Sequence, residues 1–430
     1  MAALDLNPQP LGLDRYSLEL SSEDVNLSLG QTQPGGLSPS EILPGFPDRY
    51  SGARVWTGAE MALKQHEWIS VLSDQDRAHI QAALRYFQSL NLSPGSISPE
   101  TFPLPQDLSR RLRELSDDCY NGRGFGILRG LRASTAAYTD EEQILVFAGV
   151  SSHVARERGF QDVNRELVVC HVVSEDTRPE AKEQNLRPAF TNGRLSFHTD
   201  LGDILALYAM DVSENGGETM IVSSSQIYNE LAQTRPDLLQ ELAKNWAFFH
   251  SQDYETDGSP LITNVPGDKD KHGDKDKHSD KLVFQYSRLP VTGFRNTTAN
   301  PSLPPPTPAR LEAMALVELL AWNHALALPR ASGDVAFINN LCLMHGRTPF
   351  DLDAAGNPLP SRRHLAKLML RDPERTWDLP QTLGWYAKRV YGPNRPDGSR
   401  EETWLLRVGA DKEGRPDGRI WAGSGGHSNG

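Results

Sequence analysis

His198 and Asp200, two residues apart in the run FHTDLGDILALYAMDV, have the types and spacing to hold a metal ion. The same H-x-D pattern recurs at His272–Asp274 and His278–Asp280, inside the tandem stretch GDKDKHGDKDKHSDK. That stretch offers no apolar side chain to fix a ligand geometry, so those two copies are noise. The run around His198 is apolar and β-like. On a strand, residues i and i+2 point to one face, so imidazole and carboxylate can meet an ion side by side. Histidine plus carboxylate, completed by another histidine with positions left open, is the facial set suited to non-haem Fe(II). The third ligand should come from a different strand. His345, in NNLCLMHGRTPF, and His171, in VVCHVV, both sit in apolar runs, and either alone reads equally as a satisfied core histidine. The order of elements favours His345.

The elements that must position these residues alternate in type along the chain. Ser73 with Asp76, and Thr139 with Glu142, form capping pairs ahead of helical periodicities. Leu108, Leu112 and Leu115 mark a further helix between them, and Thr307-Pro308 opens another through about residue 328. Helical spacing also runs over 225–246, broken near Pro236. Strands are expected at 124–131, 166–173, 197–212, 216–224, 333–347 in two pieces, and 362–371. Residues 1–52 read as an extended Pro/Gly/Ser-rich segment, 53–380 as the main domain, and 381–430 as an extension with a flexible tail. Within the domain, 60–160 is mostly helical, the β-rich core covers about 120–375, and the charged stretch 267–281 is an insert.

Composition narrows the class. In 430 residues, 56 acids outnumber 44 Lys and Arg for a net charge of -12, which argues against nucleic acid or an anionic membrane as partner. Cys119, Cys170 and Cys342 are too few and too scattered for a disulfide framework or a thiolate zinc site. The N-terminus lacks a secretory pattern, and no apolar run is long enough to span a membrane. The expected setting is the reducing cytoplasm, with a homo-oligomer left open.

FHTD, then GGET, GDVAFINN, a histidine before Gly-Arg-Thr, and RRHLAKLMLRD together resemble the taurine/alpha-ketoglutarate dioxygenase (TauD/TfdA-like) family, in its fungal-type members. The resemblance covers roughly residues 120–380. It implies an α+β, mainly β fold, a double-stranded β-helix (jelly roll) with flanking helices. It implies Fe(II), 2-oxoglutarate and O2 as cofactor and cosubstrates, with His198, Asp200 and His345 as iron ligands. Thr219 matches the hydroxyl, and Arg363 the arginine, that bind the distal carboxylate of 2-oxoglutarate; a guanidinium fork suits a carboxylate. Arg362, the other member of the pair, would then face solvent. Taurine dioxygenase carries a substrate-gripping arginine four residues beyond the cosubstrate arginine, where this chain has Lys367. It uses an amide four residues before the first iron ligand, where this chain has Arg194. Taurine is therefore not the expected substrate. Lys367 and Arg194 instead suggest a cationic pocket for a small anionic, amino-acid-like molecule.

The implied reaction consumes 2-oxoglutarate and O2, releases succinate and CO2, and oxidises a C–H bond by hydroxylation, desaturation or ring closure, in amino-acid or secondary metabolism. A zinc hydrolase on the same three ligands would leave Arg363 and Thr219 without a task. A jelly-roll protein that binds a metal or small acid without turnover would tolerate loss of a ligand.

Overall fold

The computed structural model describes residues 43–132, 138–162, 164–174, 188–246, 258–267, 280–292, 305–329 and 331–408. The N-terminal segment up to 42, most of the charged insert and the tail from 409 lie outside the described residues.

Among the described residues fifteen strands are formed, in chain order: β1 (Ile69–Val71), β2 (Phe125–Arg129), β3 (Glu157–Gly159), β4 (Cys170–Val173), β5 (Leu195–His198), β6 (Ile204–Asp211), β7 (Thr219–Ser223), β8 (Asn245–Trp246), β9 (Ser259–Pro260), β10 (Ile262–Val265), β11 (Lys281–Phe284), β12 (Leu326–Ala327), β13 (Val335–Asn339), β14 (Leu343–Arg347) and β15 (His364–Arg371). A large sheet runs β1-β2-β13-β6-β15-β3, with β4 also pairing β15. A small sheet runs β12-β7-β14-β5, and β8-β9 and β10-β11 are separate ribbons. Side chains of both main sheets line one cavity: Leu207, Leu365 and Lys367 from the large sheet, His198, Thr219 and His345 from the small one. This is the jelly-roll arrangement, and the cavity lies between its layers.

Helices cover the outer faces. Asp74–Ser89 and Asp140–Val154 begin at the expected capping boxes, in which Ser73 and Thr139 exchange hydrogen bonds with Asp76 and Glu142. With Gln106–Tyr120 they bury Leu84, Leu112 and Phe147 in the same core as Ile127, Leu205 and Phe337 of the large sheet. Ser224–Thr234, Pro236–Ala243 and Pro308–His324 do the same for the small sheet, around Phe197, Val222 and Met344. Both prolines sit in the first turn, where a missing N–H costs nothing. Residues 381–408 pack onto the same body: the Tyr391 hydroxyl donates to Leu370 O at 2.8 Å and the His171 ring meets Leu405 O at 2.8 Å.

Two strand expectations need correction. The run 197–212 is not one strand. The chain leaves the small sheet after His198, turns through 199–203 and enters the large sheet at Ile204. Gly202 (φ +100) makes that corner, and a Cβ there would stand 2.9 Å from Met369 Cβ. Likewise β7 starts at Thr219 because Gly216 and Gly217 both take positive φ.

Candidate active site

His198 is the last residue of β5, and His345 is its antiparallel partner in the middle of β14. The two rings lie with centroids 4.1 Å apart. Asp200 comes from the corner between the sheets, not from the strand itself. The corner is braced on both sides. Thr199 N donates to Tyr286 O at 2.8 Å, and Asp200 N to the Asn340 side-chain oxygen at 3.0 Å. The Asn340 amide nitrogen in turn reaches the carbonyls of Asp200 and Gly202. Nε2 of His198 is 3.9 Å from Asp200 Oδ1, and Nε2 of His345 is 3.9 Å from Asp200 Oδ2. One ligand atom from each of the three residues falls within 4.8 Å of the others, and all three residues are buried.

The donor set is in the right chemical form for a cation. Nδ1 of His198 faces Ser196 O at 2.9 Å. A carbonyl can only accept, so Nδ1 carries the proton and Nε2 keeps its lone pair for an ion. Burial holds both imidazoles below their usual pKa, His345 far below it. Burial also works against ionisation of Asp200, but the Lys367 ammonium, followed by the neighbouring imidazoles, overcomes it and brings that carboxyl down to about 2. Two neutral imidazoles and one carboxylate fit Fe(II).

Thr219 and Arg363 line this cavity, and both also line the adjoining cavity, so the two spaces meet at these side chains. Arg363 is buried, with its guanidinium 5.1 Å from the centre of the Phe350 ring. Gly217 (φ +80) lets the backbone close on it: a Cβ there would lie 3.3 Å from Arg363 Cδ and 2.6 Å from Ser213 Oγ. Arg362 points the other way, 72% exposed in its side chain and 3.8 Å from Asp211. Along β15 the alternation then carries Leu365 and Lys367 into the cavity. Lys367 does not stand off in the pocket. Its Nζ donates to Asp200 Oδ2 at 2.9 Å, with both side chains almost wholly buried.

Arg194 lies elsewhere. It is exposed, and its guanidinium stacks 4.9 Å over Trp322 of the Pro308–His324 helix, on the outer face of the small sheet. The cause is a β-bulge. Between the pairs His198–His345 and Leu195–Arg347, β5 uses three steps where β14 uses two. The extra residue reverses the alternation, so Leu195 joins His198 in the cavity and Arg194 falls on the opposite face. His171 is also outside the site. Its Nδ1 lies 2.8 Å from Nε2 of His364, and its other nitrogen meets Leu405 O.

Sequence reasoning missed Arg347 and Asn340. Arg347, two residues beyond His345, is a cavity wall residue that donates to the carbonyls of Ala189 (3.0 Å), Thr191 (2.7 Å) and Gly193 (2.7 Å), fixing the 188–193 segment beside the His-Asp-His set. Its signal was present in the Gly-Arg-Thr that flanks His345. Asn340 ends the run GDVAFINN, and its brace on the corner is a tertiary contact that no local spacing shows.

The family described as "Taurine catabolism dioxygenase TauD, TfdA family" matches residues 88–369. The "Taurine hydroxylase-like protein SAT17" of Stachybotrys chartarum is 33% identical over 334 residues, which is 76% of this chain and 81% of that protein. "FR-33289 synthase" of Streptomyces rubellomurinus is 27% identical over 210 residues, 49% of this chain and 60% of its own length. Among solved structures, asparagine oxygenase (AsnO) superimposes with a TM-score of 0.49 at 14% identity, covering 72% of this chain and 94% of its own. The chain therefore belongs to the TauD/TfdA family of non-haem Fe(II)- and 2-oxoglutarate-dependent dioxygenases.

Proposed function

We propose that His198, Asp200 and His345 hold the Fe(II), that Thr219 and Arg363 hold the distal carboxylate of 2-oxoglutarate, and that the substrate is a small amino-acid-like acid. The observation that carries the reading is the meeting, in one cavity between the sheets, of a buried His-Asp-His set with a buried arginine and a threonine. A hydrolase would need the first part alone. The bound metal and cosubstrate supply the oxidant for a C–H bond, with release of succinate and CO2. The chain's own residues bind, orient and exclude water. Arg363 offers a carboxylate two parallel donors, the Ser196 carbonyl fixes the His198 tautomer, and Val172, Leu207 and Leu365 keep the wall apolar. An acidic substrate is supported by the balance of charge in that wall. With Arg363 given to 2-oxoglutarate and Lys367 set against Asp200, the wall still carries the Arg347 guanidinium, in a chain of net charge -12. The likeness to a taurine hydroxylase-like protein supports an amino acid as the skeleton. A cytoplasmic setting goes with this reading: Cys119, Cys170 and Cys342 are free thiols, and no helix of the described residues is long and apolar enough to cross a membrane.

Anaerobic addition of Fe(II) and then 2-oxoglutarate should produce the weak visible charge-transfer band of the chelate. His345→Ala should lose that band and all succinate formation while keeping the far-ultraviolet circular dichroism of the parent. Among candidate compounds, amino acids should stimulate succinate release more than their amides or esters. Full succinate formation by His345→Ala would overturn the ligand assignment.

A further inference from the structure

Lys367 is a buried lysine bound to a carboxylate that belongs to the ligand set. It sits on β15, which is hydrogen-bonded along both edges, where Lys367 pairs with Leu207 of β6 and with Cys170 of β4. Gln161 fastens its backbone further by donating to Lys367 O at 2.6 Å. The side chain therefore rises from a fixed base, and its Nζ ends 2.9 Å from Asp200 Oδ2 with 3% and 2% of the two side chains exposed. A lysine so placed has lost its hydration, and the carboxylate is its charge partner. Each carboxylate oxygen faces one imidazole, Oδ1 at 3.9 Å from His198 Nε2 and Oδ2 at 3.9 Å from His345 Nε2, and Oδ2 is the one that also takes the ammonium.

A carboxylate can meet a metal through one oxygen or both. Six positions around an ion, less three protein ligands, leave three, enough for a chelating 2-oxo acid and O2. A two-oxygen carboxylate would leave only two. We propose that Lys367 is a positioning residue for the metal centre: its ammonium engages Oδ2 and keeps Asp200 a one-oxygen ligand through Oδ1, so that the third position stays open. This rests on the ligand assignment above. It gives the cation four residues beyond Arg363 a task on the metal ligand itself, in addition to any anion the pocket recognises. The ammonium has three donors, and Asp200 uses one.

The test uses Co(II) in the full-length protein, whose visible spectrum reports coordination number and needs no turnover. Lys367→Met removes a positive charge beside the ion and releases Oδ2, so it should leave Co(II) binding at least as tight as in the parent while changing the intensity of the visible bands and weakening 2-oxoglutarate binding to the Co(II) protein. Lys367→Gln keeps a neutral donor and should fall between Met and the parent; it also serves if the Met variant does not fold. A parent-like Co(II) spectrum and 2-oxoglutarate binding in both variants would overturn the proposal. His345→Ala separates the two readings. If it binds Co(II) as tightly as the parent, the ligand set is wrong and the role of Lys367 falls with it. If it loses Co(II) while the Lys367 variants keep the parent's Co(II) spectrum and 2-oxoglutarate binding, only the positioning role falls.

Discussion

The two arginines Arg362 and Arg363 show how much one residue's place on a strand decides. Adjacent side chains point to opposite faces, so one is a solvated charge beside Asp211 and the other is buried against Phe350 in the cavity wall. The sequence pattern established that one of the pair must face inward; choosing which took the family resemblance, because alternation has no origin of its own. Arg363 and Thr219 are proposed to share a carboxylate but should not contribute equally. Removing the guanidinium leaves a buried anion without a charge partner, whereas removing the hydroxyl deletes one neutral hydrogen bond. The expected loss is roughly 1.5–3 kcal/mol or more for Arg363→Ala and about 1 kcal/mol for Thr219→Val. In kinetics this is a rise of ten- to a hundredfold or more in KM for 2-oxoglutarate against about fivefold. Direct binding titrations of the cosubstrate to the metal-loaded protein check both, and equal small effects would count against the assignment.

At the scale of elements, β5 carries the main lesson. The spacing of His198 and Asp200 was legible, and so was the apolar run that presents them. The bulge was not, because it is set by the register of β5 against β14, some 150 residues away in sequence. It turned Arg194 away from the cavity and onto Trp322. The corner at 199–203 was hidden for the same reason: local β propensity runs through it, while the change of sheet depends on Gly202, Asn340 and Tyr286. A further support comes from outside the sheet. Glu318, buried on the Pro308–His324 helix, accepts from Phe197 N at 3.1 Å and from Trp322 Nε1 at 2.8 Å, and so holds β5 one residue before His198. Glu318→Leu would leave that buried N–H unsatisfied, at a cost on the order of 3 kcal/mol. It should also weaken metal binding, because the strand end that carries His198 loses its anchor. Glu318→Gln keeps an acceptor and should be milder on both counts. Thermal unfolding with a parallel Co(II) titration would show this, and a Leu variant as stable and as tight-binding as the parent would contradict it.

Taken whole, the molecule buries an unusual set of imidazoles for a chain whose acids outnumber its bases. His153, His171, His198, His345 and His364 are all held below the ordinary histidine value by burial, His364 down to about 3 beside His171. Three carboxyls of the described residues lean the other way: burial raises Asp118 and Glu318, and it raises Asp203 to about 6 against a hydrogen bond from Thr376. The signs follow from which state takes up protons. As pH falls below about 6.5, the unfolded chain protonates its histidines while the folded one refuses, so each buried imidazole removes stability. Between about 6 and 4, Asp203 keeps a proton that the unfolded chain has released, and so adds stability, and the raised Asp118 and Glu318 act in the same direction. Five imidazoles outweigh three carboxyls. Below about 4 the ionised Asp200, held to about 2 by Lys367 against its own burial, adds to the loss. Each uncompensated proton is worth about 1.4 kcal/mol per pH unit. The unfolding midpoint of the metal-free protein should therefore drop steeply from pH 7 to pH 5, well before most carboxylates titrate. His364→Gln, which removes one refused proton and can still donate to His171, should make that slope shallower. A midpoint that is flat or rises between pH 7 and 5 would mean that these histidines are protonated in the folded chain, and the neutral donor set drawn for His198 and His345 would be wrong with it.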